Sequence, residues 1–301
     1  MVVLPSLRQL QYFSVLSETR SFSVAAEKCG VTQSTLSAGI RQLEQVLGGS
    51  VVDRSHRDLP LTRLGEAALG RIRSILVDAE ALTRLTMLNE GPLTGPLKLG
   101  VIPSIAPFLL PRALPALRAR YPRLQLVLQE DLTRNLLRDL RGGQLDAALL
   151  AFPHSIDGLD DYQVLRDRFY FAAPSGHRLL TNGSVSPRDL ADEPLLLLED
   201  GHCLRDHVLD AVGRDHANVL SDIRASSLLM VVQMVDGGLG TTVLPQIAVD
   251  SGVLKGTGLD VTPVDGPAAF RDIRLVWRKR SHRSEDYKLL AEGLTEWQIR
   301  T

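Results

Sequence analysis

One cysteine stands where a thiol can be made reactive. Gly201-His202-Cys203-Leu204-Arg205-Asp206 follows the apolar run Leu195–Glu199 and opens a helix-forming stretch. A cysteine at a helix start faces the positive end of the helix dipole, and His202 and Arg205 lie close to it in sequence. Both influences lower a thiol pKa and raise the thiolate fraction. A thiolate attacks peroxide and becomes a sulfenic acid. The plainer outcome for an unpaired cysteine is a small buried hydrophobe, and Cys29 reads that way.

Other chemistries lack their residues. Cys29 and Cys203 are far apart and show no CxxC spacing, which speaks against a disulfide scaffold or zinc site and for a reducing cytoplasm. His154, His177, His207 and His216 have no metal-ligand spacing with carboxylates and read as surface residues or supports of other groups. No G-x-S-x-G elbow is present. Gly237-Gly238-Leu239-Gly240 lacks the order of a dinucleotide-binding turn. The expectation is a protein that is not an enzyme, with no metal and no cofactor.

A second chemistry sits near the N-terminus. Gln33, Ser34, Thr35 and Ser37 are short polar residues with donors and acceptors, and Arg41 follows one to two turns later. At the start of a helix, such residues suit the base edges of a major groove.

The elements that position them follow from periodicity. Leu7, Leu10, Tyr12-Phe13 and Leu16 predict a helix over 6–18. Ser23 is the expected N-cap of a short second helix that Gly30 ends, and Thr32 the N-cap of a third carrying Leu36, Ile40, Leu43 and Leu47. Gly48-Gly49 closes it. Helix, short helix, Gly turn and longer helix make a helix-turn-helix. Val51–Arg54 and Leu59–Leu61 are expected to form two short strands around a basic tip, His56-Arg57, which is a wing. Thr62 caps a long helix whose stripe of Leu64, Ala68, Ile72, Ile75, Ala79, Leu82 and Leu85 wants a partner, most simply the same helix of a second subunit. Gly91-Pro92 and Gly95-Pro96 mark a hinge.

Beyond the hinge, strand-like and helix-like stretches alternate. Strands are expected at 97–102, 124–129, 145–152, 169–173, 195–199, 223–225, 241–244 and 273–278. Helices are expected at 107–120, 136–141, 203–213, 228–236 and 284–298. This order fits two α/β lobes with a ligand cleft at strand C-termini. The expected organisation is a winged helix-turn-helix over 1–62, a dimerising linker helix over 63–90, a hinge over 91–96 and an effector domain over 97–301. Lobe I of that domain covers about 97–168 and 271–301, and lobe II about 169–270.

The 301 residues are 44% hydrophobic and 23% charged with net charge −1, so no global charge announces nucleic acid. Residues 1–63 carry seven Lys/Arg against five Asp/Glu, a local excess of the right sign. Met1–Leu4 is too short for a signal peptide, and no apolar run approaches the roughly 20 residues of a membrane span.

The constellation Phe13…Ser21-Phe22-Ser23-Val24-Ala25-Ala26…Val31-Thr32-Gln33-Ser34-Thr35-Leu36-Ser37…Ile40-Arg41-Gln42-Leu43-Glu44…Leu47-Gly48…Asp53-Arg54…Leu61-Thr62…Gly65 resembles LysR-type transcriptional regulators. The resemblance runs the length of the chain. It implies an all-α N-terminal winged helix-turn-helix and a C-terminal, two-lobed α/β effector domain like periplasmic binding proteins. On that reading Thr32, Gln33, Ser34, Thr35, Ser37 and Arg41 face DNA, while Ser23, Arg54 and Thr62 meet phosphates, Ser23 and Thr62 through helix N-termini.

Leu198–Asp206 is similar to the redox loop of the peroxide-sensing, OxyR-like branch of that family. Gly100–Ser104, Leu110-Pro111, Leu145-Asp146 and Arg224–Leu228 are also similar to it. The resemblance implies that Cys203 is peroxidatic, that His202, Arg205 and Asp206 tune and orient it, and that Ser104 and Thr133 offer hydroxyls to peroxide or water. Ser104 stands where the branch has Thr. Val212 stands where the branch has its resolving cysteine, nine residues after Cys203. Cys29 should be too remote to pair with Cys203 within one subunit. Two readings stay open: a one-cysteine sensor, ending in a sulfenic acid, a mixed disulfide with a small thiol or an intersubunit disulfide; or a regulator answering a metabolite in the cleft. A thiol peroxidase or a plain solute-binding protein is more distant. The implied partners are a two-fold DNA operator, further copies in a homodimer or homotetramer, and RNA polymerase. The implied role is an activator in oxidative stress, in the cytoplasm and away from membranes.

Overall fold

The computed structural model describes residues 3–56, 58–83, 91–153, 156–214, 217–279 and 281–295. The chain divides into two compact units, Met1–Gly91 with Arg138–Gln144, and Pro92–Leu137 with Leu145–Thr301.

The first unit is helical. Ser6 caps α1 (Leu7–Thr19) through a capping box with Gln9. Then come α2 (Phe22–Lys28), α3 (Gln33–Leu47) and α4 (Arg63–Thr83). Phe13, Leu16, Ala25, Leu36, Ile40, Leu43, Val51 and Ile72 form one buried cluster. α1 and α3 approach so closely that a Cβ on Gly39 would lie 2.7 Å from the Tyr12 ring. At Gly65 a Cβ would lie 2.1 Å from the Val51 carbonyl, so the start of α4 needs glycine for space.

Two local expectations change. Ser21, not Ser23, caps α2: its hydroxyl accepts from the Val24 amide, and Ser23 lies within the first turn. The wing is a single antiparallel bridge, Val52 to Leu61, rather than two strands. So short a hairpin holds few ladder bonds, here Asp53 N–H to Pro60 O at 2.8 Å and Thr62 N–H to Val51 O at 3.1 Å. Arg57 at its tip, His154, His216 and the linker residues 84–90 lie outside the described residues, as does the end of the last helix beyond Thr295.

The second unit is α/β. Its elements are β1 (Gly95–Val101), α5 (Ala106–Arg120), β2 (Leu124–Glu130), α6 (Thr133–Arg141), β3 (Ala147–Phe152), β4 (Leu159–Pro174), α7 (Pro187–Leu190), α8 (Cys203–Val212), α9 (Leu228–Asp236), β5 (Thr242–Pro245), α10 (Gln246–Asp250), β6 (Leu259–Pro263), β7 (Phe270–Arg278) and α11 (Ser284–Thr295). Strand order is β2-β1-β3-β7-β4-β5, with β6 also on β4. β1 pairs in parallel with β2 and β3, whereas β7 runs antiparallel to β3 and β4. The long β4 changes partners midway: residues 159–168 pair with β7, and 169–174 pair with β5 and β6.

Two expected strands are not strands. Leu195–Glu199 and Ile223–Ala225 meet only through single bridges, such as Leu198 to Ala225. Leu195–Leu198 is buried as its composition demands, but its backbone partners come from three separate segments. The first half of β4 escaped the sequence reading because Asp160, Asp161, Arg166 and Asp167 interrupt its apolar pattern. Three of them are paired in the fold: Asp161 with Arg274, Arg166 with Asp272 and Asp167 with Arg271.

Candidate functional site

In the first unit, α3 buries Leu36, Gly39, Ile40 and Leu43 and leaves Gln33, Ser34, Thr35 and Arg41 exposed, with Ser37 half-buried. Gln33, Ser37 and Arg41 follow one another at single-turn spacing and so share a face. Among the described residues no hydrogen bond ties their side chains down. Thr32 is committed differently. Its hydroxyl accepts from the Thr35 amide at 3.2 Å and also meets the Ser34 and Thr35 hydroxyls.

The expected phosphate contacts divide likewise. Ser23 is exposed on the first turn of α2, 3.0 Å from the Ser21 hydroxyl. Arg54 pairs with Glu44 at 2.7 Å and lies over the Phe22 ring. Thr62 Oγ1 donates to the Ser50 carbonyl at 2.6 Å and accepts from the Gly65 amide at 3.1 Å, so its hydroxyl braces α4. Sequence reasoning missed Gln42, which accepts from Gln9 at 2.8 Å and locks α3 to α1.

In the second unit, Ser104 and Thr133 come off the C-terminal ends of the adjacent parallel strands β1 and β2, where α/β sheets place ligands. Cys203 begins α8 and is buried. Thr133 is also buried, and its hydroxyl makes no well-formed hydrogen bond among the described residues, though it lies near enough to Cys203 to favour the thiolate. Ser104 is tied by Arg271, which donates to Ser104 Oγ at 2.7 Å and to Ser104 O at 3.0 Å. Arg271 also pairs with Asp167 at 2.9 Å, both side chains at most 1% exposed.

The electrostatics differ from the sequence expectation. Burial pushes the Cys203 thiol above its ordinary range; Arg271 and the Thr133 hydroxyl pull it down, and Asp206 pushes it further up. The expected lowered pKa is therefore corrected, because desolvation disfavours the thiolate more than the surrounding groups favour it. Burial drives the His202 pKa down, against Glu199 and Glu130, which favours the neutral imidazole beside the thiol. Arg205 turns to Asp200 at 3.0 Å and to the Leu198 carbonyl at 3.1 Å, and Asp206 pairs with Arg214 at 3.2 Å. The structure thus gathers Cys203, Thr133, Ser104 and Arg271, and assigns Arg205 and Asp206 to bracing the loop and α8. Arg271 was not legible in the sequence. It lies 68 positions beyond Cys203, in a strand whose pattern marks only burial.

Cys29 is half-buried and Cys203 buried, both free thiols. Among the described residues no His, Cys, Asp and Glu group could hold a metal ion, and no helix is long and apolar enough to cross a membrane.

The N-terminal helices and the α/β unit are the two parts of a known class of regulators. Residues 7–66 match the bacterial regulatory helix-turn-helix protein model of the lysR family, and residues 90–298 match the LysR substrate binding domain. The chain belongs to the LysR family of transcription regulators. It is 39% identical to the HTH-type transcriptional regulator EstR of Acinetobacter baylyi, over 98% of this chain and 97% of that one. It is 39% identical to a probable hydrogen peroxide-inducible genes activator of Mycobacterium avium, over 95% and 92%. A full-length OxyR variant from Pseudomonas aeruginosa superposes with TM-score 0.81 at 33% identity, over 97% of this chain and 98% of that one. The protein is a DNA-binding regulator with OxyR-like relatives, and not an enzyme.

Proposed function

We propose that this regulator is switched by peroxide oxidation of Cys203. The observation that carries the reading is a buried thiol at the start of α8 that feels the charge of the buried Arg271, with Ser104 held on the same guanidinium. Its relatives among peroxide-inducible activators support it. In the reaction, the sulfur loses its proton and attacks one peroxide oxygen. The O–O bond breaks, and the other oxygen leaves as hydroxide, which takes the proton to become water. Sulfur is oxidised by two electrons to Cys–SOH, and peroxide is reduced. In this reading Thr133 and Ser104 hold the peroxide, and Arg271 stabilises the charge that develops.

With Val212 at the position of the resolving cysteine, the product ends as the sulfenic acid, a mixed disulfide with a small thiol, or an intersubunit disulfide. Oxidation then shifts the population between two arrangements of the lobes and changes the spacing of the DNA-binding units on DNA. We assign the winged helix-turn-helix to 1–62, the linker to 63–90, the hinge to 91–96 and the effector domain to 97–301. Gln33, Ser34, Thr35, Ser37 and Arg41 read bases, with Ser23 and Arg54 toward phosphates. Ile75 and Leu82 of α4, exposed in the single chain, favour a dimer through α4, and a homotetramer on DNA in the cytoplasm that meets RNA polymerase.

The test is intact mass after stoichiometric hydrogen peroxide, with and without a sulfenic-acid trap, beside Cys203→Ser. A trapped adduct absent from the variant is expected. An unmodified Cys203 under excess peroxide would sink the reading and direct the search to cleft metabolites. The DNA footprint should also differ in length or bend between redox states.

A further inference from the structure

Asp167 of β4 and Arg271 of β7 face each other directly in the ladder, one residue before β4 leaves β7. The carboxylate is used at both ends. Oδ2 accepts from Arg271 Nε at 2.9 Å, and Oδ1 accepts from the Ile247 amide at 2.9 Å, in the first turn of α10. The other end of α10 is held from α5, where Arg112 donates to the Asp250 carbonyl at 2.7 Å. Arg271 is thus shared: Asp167 takes one edge, Ser104 the other, and its charge reaches the Cys203 sulfur. A buried guanidinium is matched by one full anion at a time at little cost, because each extra buried charge must be desolvated. In the reduced protein Asp167 takes that place: burial pushes its carboxyl up, and Arg271 and the Ile247 amide pull it down.

We infer that Asp167 is the positioning residue of the thiol site: it competes with the Cys203 sulfur for Arg271, and an anionic sulfur loosens its hold on the first turn of α10. The competition itself requires no peroxide. Only its trigger in the cell rests on the function proposed above. The charged and titratable groups around the sulfur are Arg271 from β7 and Asp206 and His202 from α8 and its cap; around Asp167 they are Arg271 and Asp250 of α10.

The test is the pH profile of Cys203 alkylation by iodoacetamide in the reduced full chain, read on the Cys203 peptide. Asp167→Asn frees Arg271 for the sulfur, so the midpoint should fall by about one pH unit, with roughly tenfold faster alkylation at neutral pH. Asp167→Glu should return it toward the wild-type value, and Arg271→Gln should raise it. An unchanged midpoint in folded Asp167→Asn, or a rise like that of Arg271→Gln, overturns the inference. Hydrogen exchange at the Ile247 amide decides independently if Asp167→Asn does not fold. Cys203→Asp, measured at a pH where its carboxyl is ionised, places an anion at the sulfur position and should exchange Ile247 about tenfold faster than Cys203→Ser; equal rates overturn the inference. A wild-type thiol that alkylates but ignores peroxide would defeat the sensing proposal and leave this test intact.

Discussion

The recognition helix and the thiol site handle polar groups in opposite ways. On α3 the side chains proposed to meet DNA, Gln33, Ser37 and Arg41, are held only by their helix, and the stability of the unit lies beneath them in Leu36, Ile40 and Leu43. In the thiol site the polar groups are themselves part of the core: Arg271, Asp167, Ser104, Thr133 and Cys203 are all buried, and Arg271 ties Asp167 and Ser104 together. An exposed site can therefore change its specificity with little effect on folding. A buried one links function to stability, because each removed partner strands a desolvated charge or dipole.

The comparison breaks first at its strongest point. Arg271→Ala should cost about 3–5 kcal/mol of stability by leaving Asp167 unpaired, and urea unfolding measures it. A loss under 1 kcal/mol would mean that the site is not a core. On the exposed side, Arg41→Ala and Gln33→Ala should each weaken operator binding by about 1–3 kcal/mol, roughly five- to 150-fold, as read by fluorescence anisotropy. Their unfolding midpoints should stay within about 0.5 kcal/mol of wild type. A smaller contrast concerns two serines two positions apart. Ser21→Ala should remove the α2 cap and cost about 1 kcal/mol, whereas Ser23→Ala should leave stability nearly unchanged. Equal losses would restore Ser23 as the cap.

The mildest test is pH. Cys203 binds its proton more tightly folded than unfolded, so its contribution is full below the ordinary thiol value of 9.0 and is lost as pH rises through the higher folded value. His202 acts in the other direction: its depressed folded pKa gives stability that is full above 6.5 and lost as pH falls through the folded value. Both slopes should appear in pH-dependent unfolding, and Cys203→Ser should reduce only the alkaline one, part of which belongs to Cys29 and Tyr287, whose pKa values burial also raises.

The helices of the first unit were legible because their signals are local: Thr32 as a cap, Gly48 as a stop, and apolar residues at three- and four-residue spacing. The polar face of α3 followed from the same periodicity. Most α/β elements were legible from apolar density, but Leu195–Glu199 was misread as a strand, since burial alone does not say which backbone will pair with which.

At the thiol site, sequence alone placed Cys203 at a helix start, because that depends only on neighbouring positions; the comparison of Val212 with a resolving cysteine came from the family resemblance. The sign of the thiol's pKa shift was decided by tertiary structure. It depends on how deeply the sulfur is desolvated and on which distant charge reaches it, and Arg271 and Asp167 arrive on strands that only the completed sheet brings together. Local sequence specifies helix ends and faces; the energy of a buried charge is set by everything packed around it.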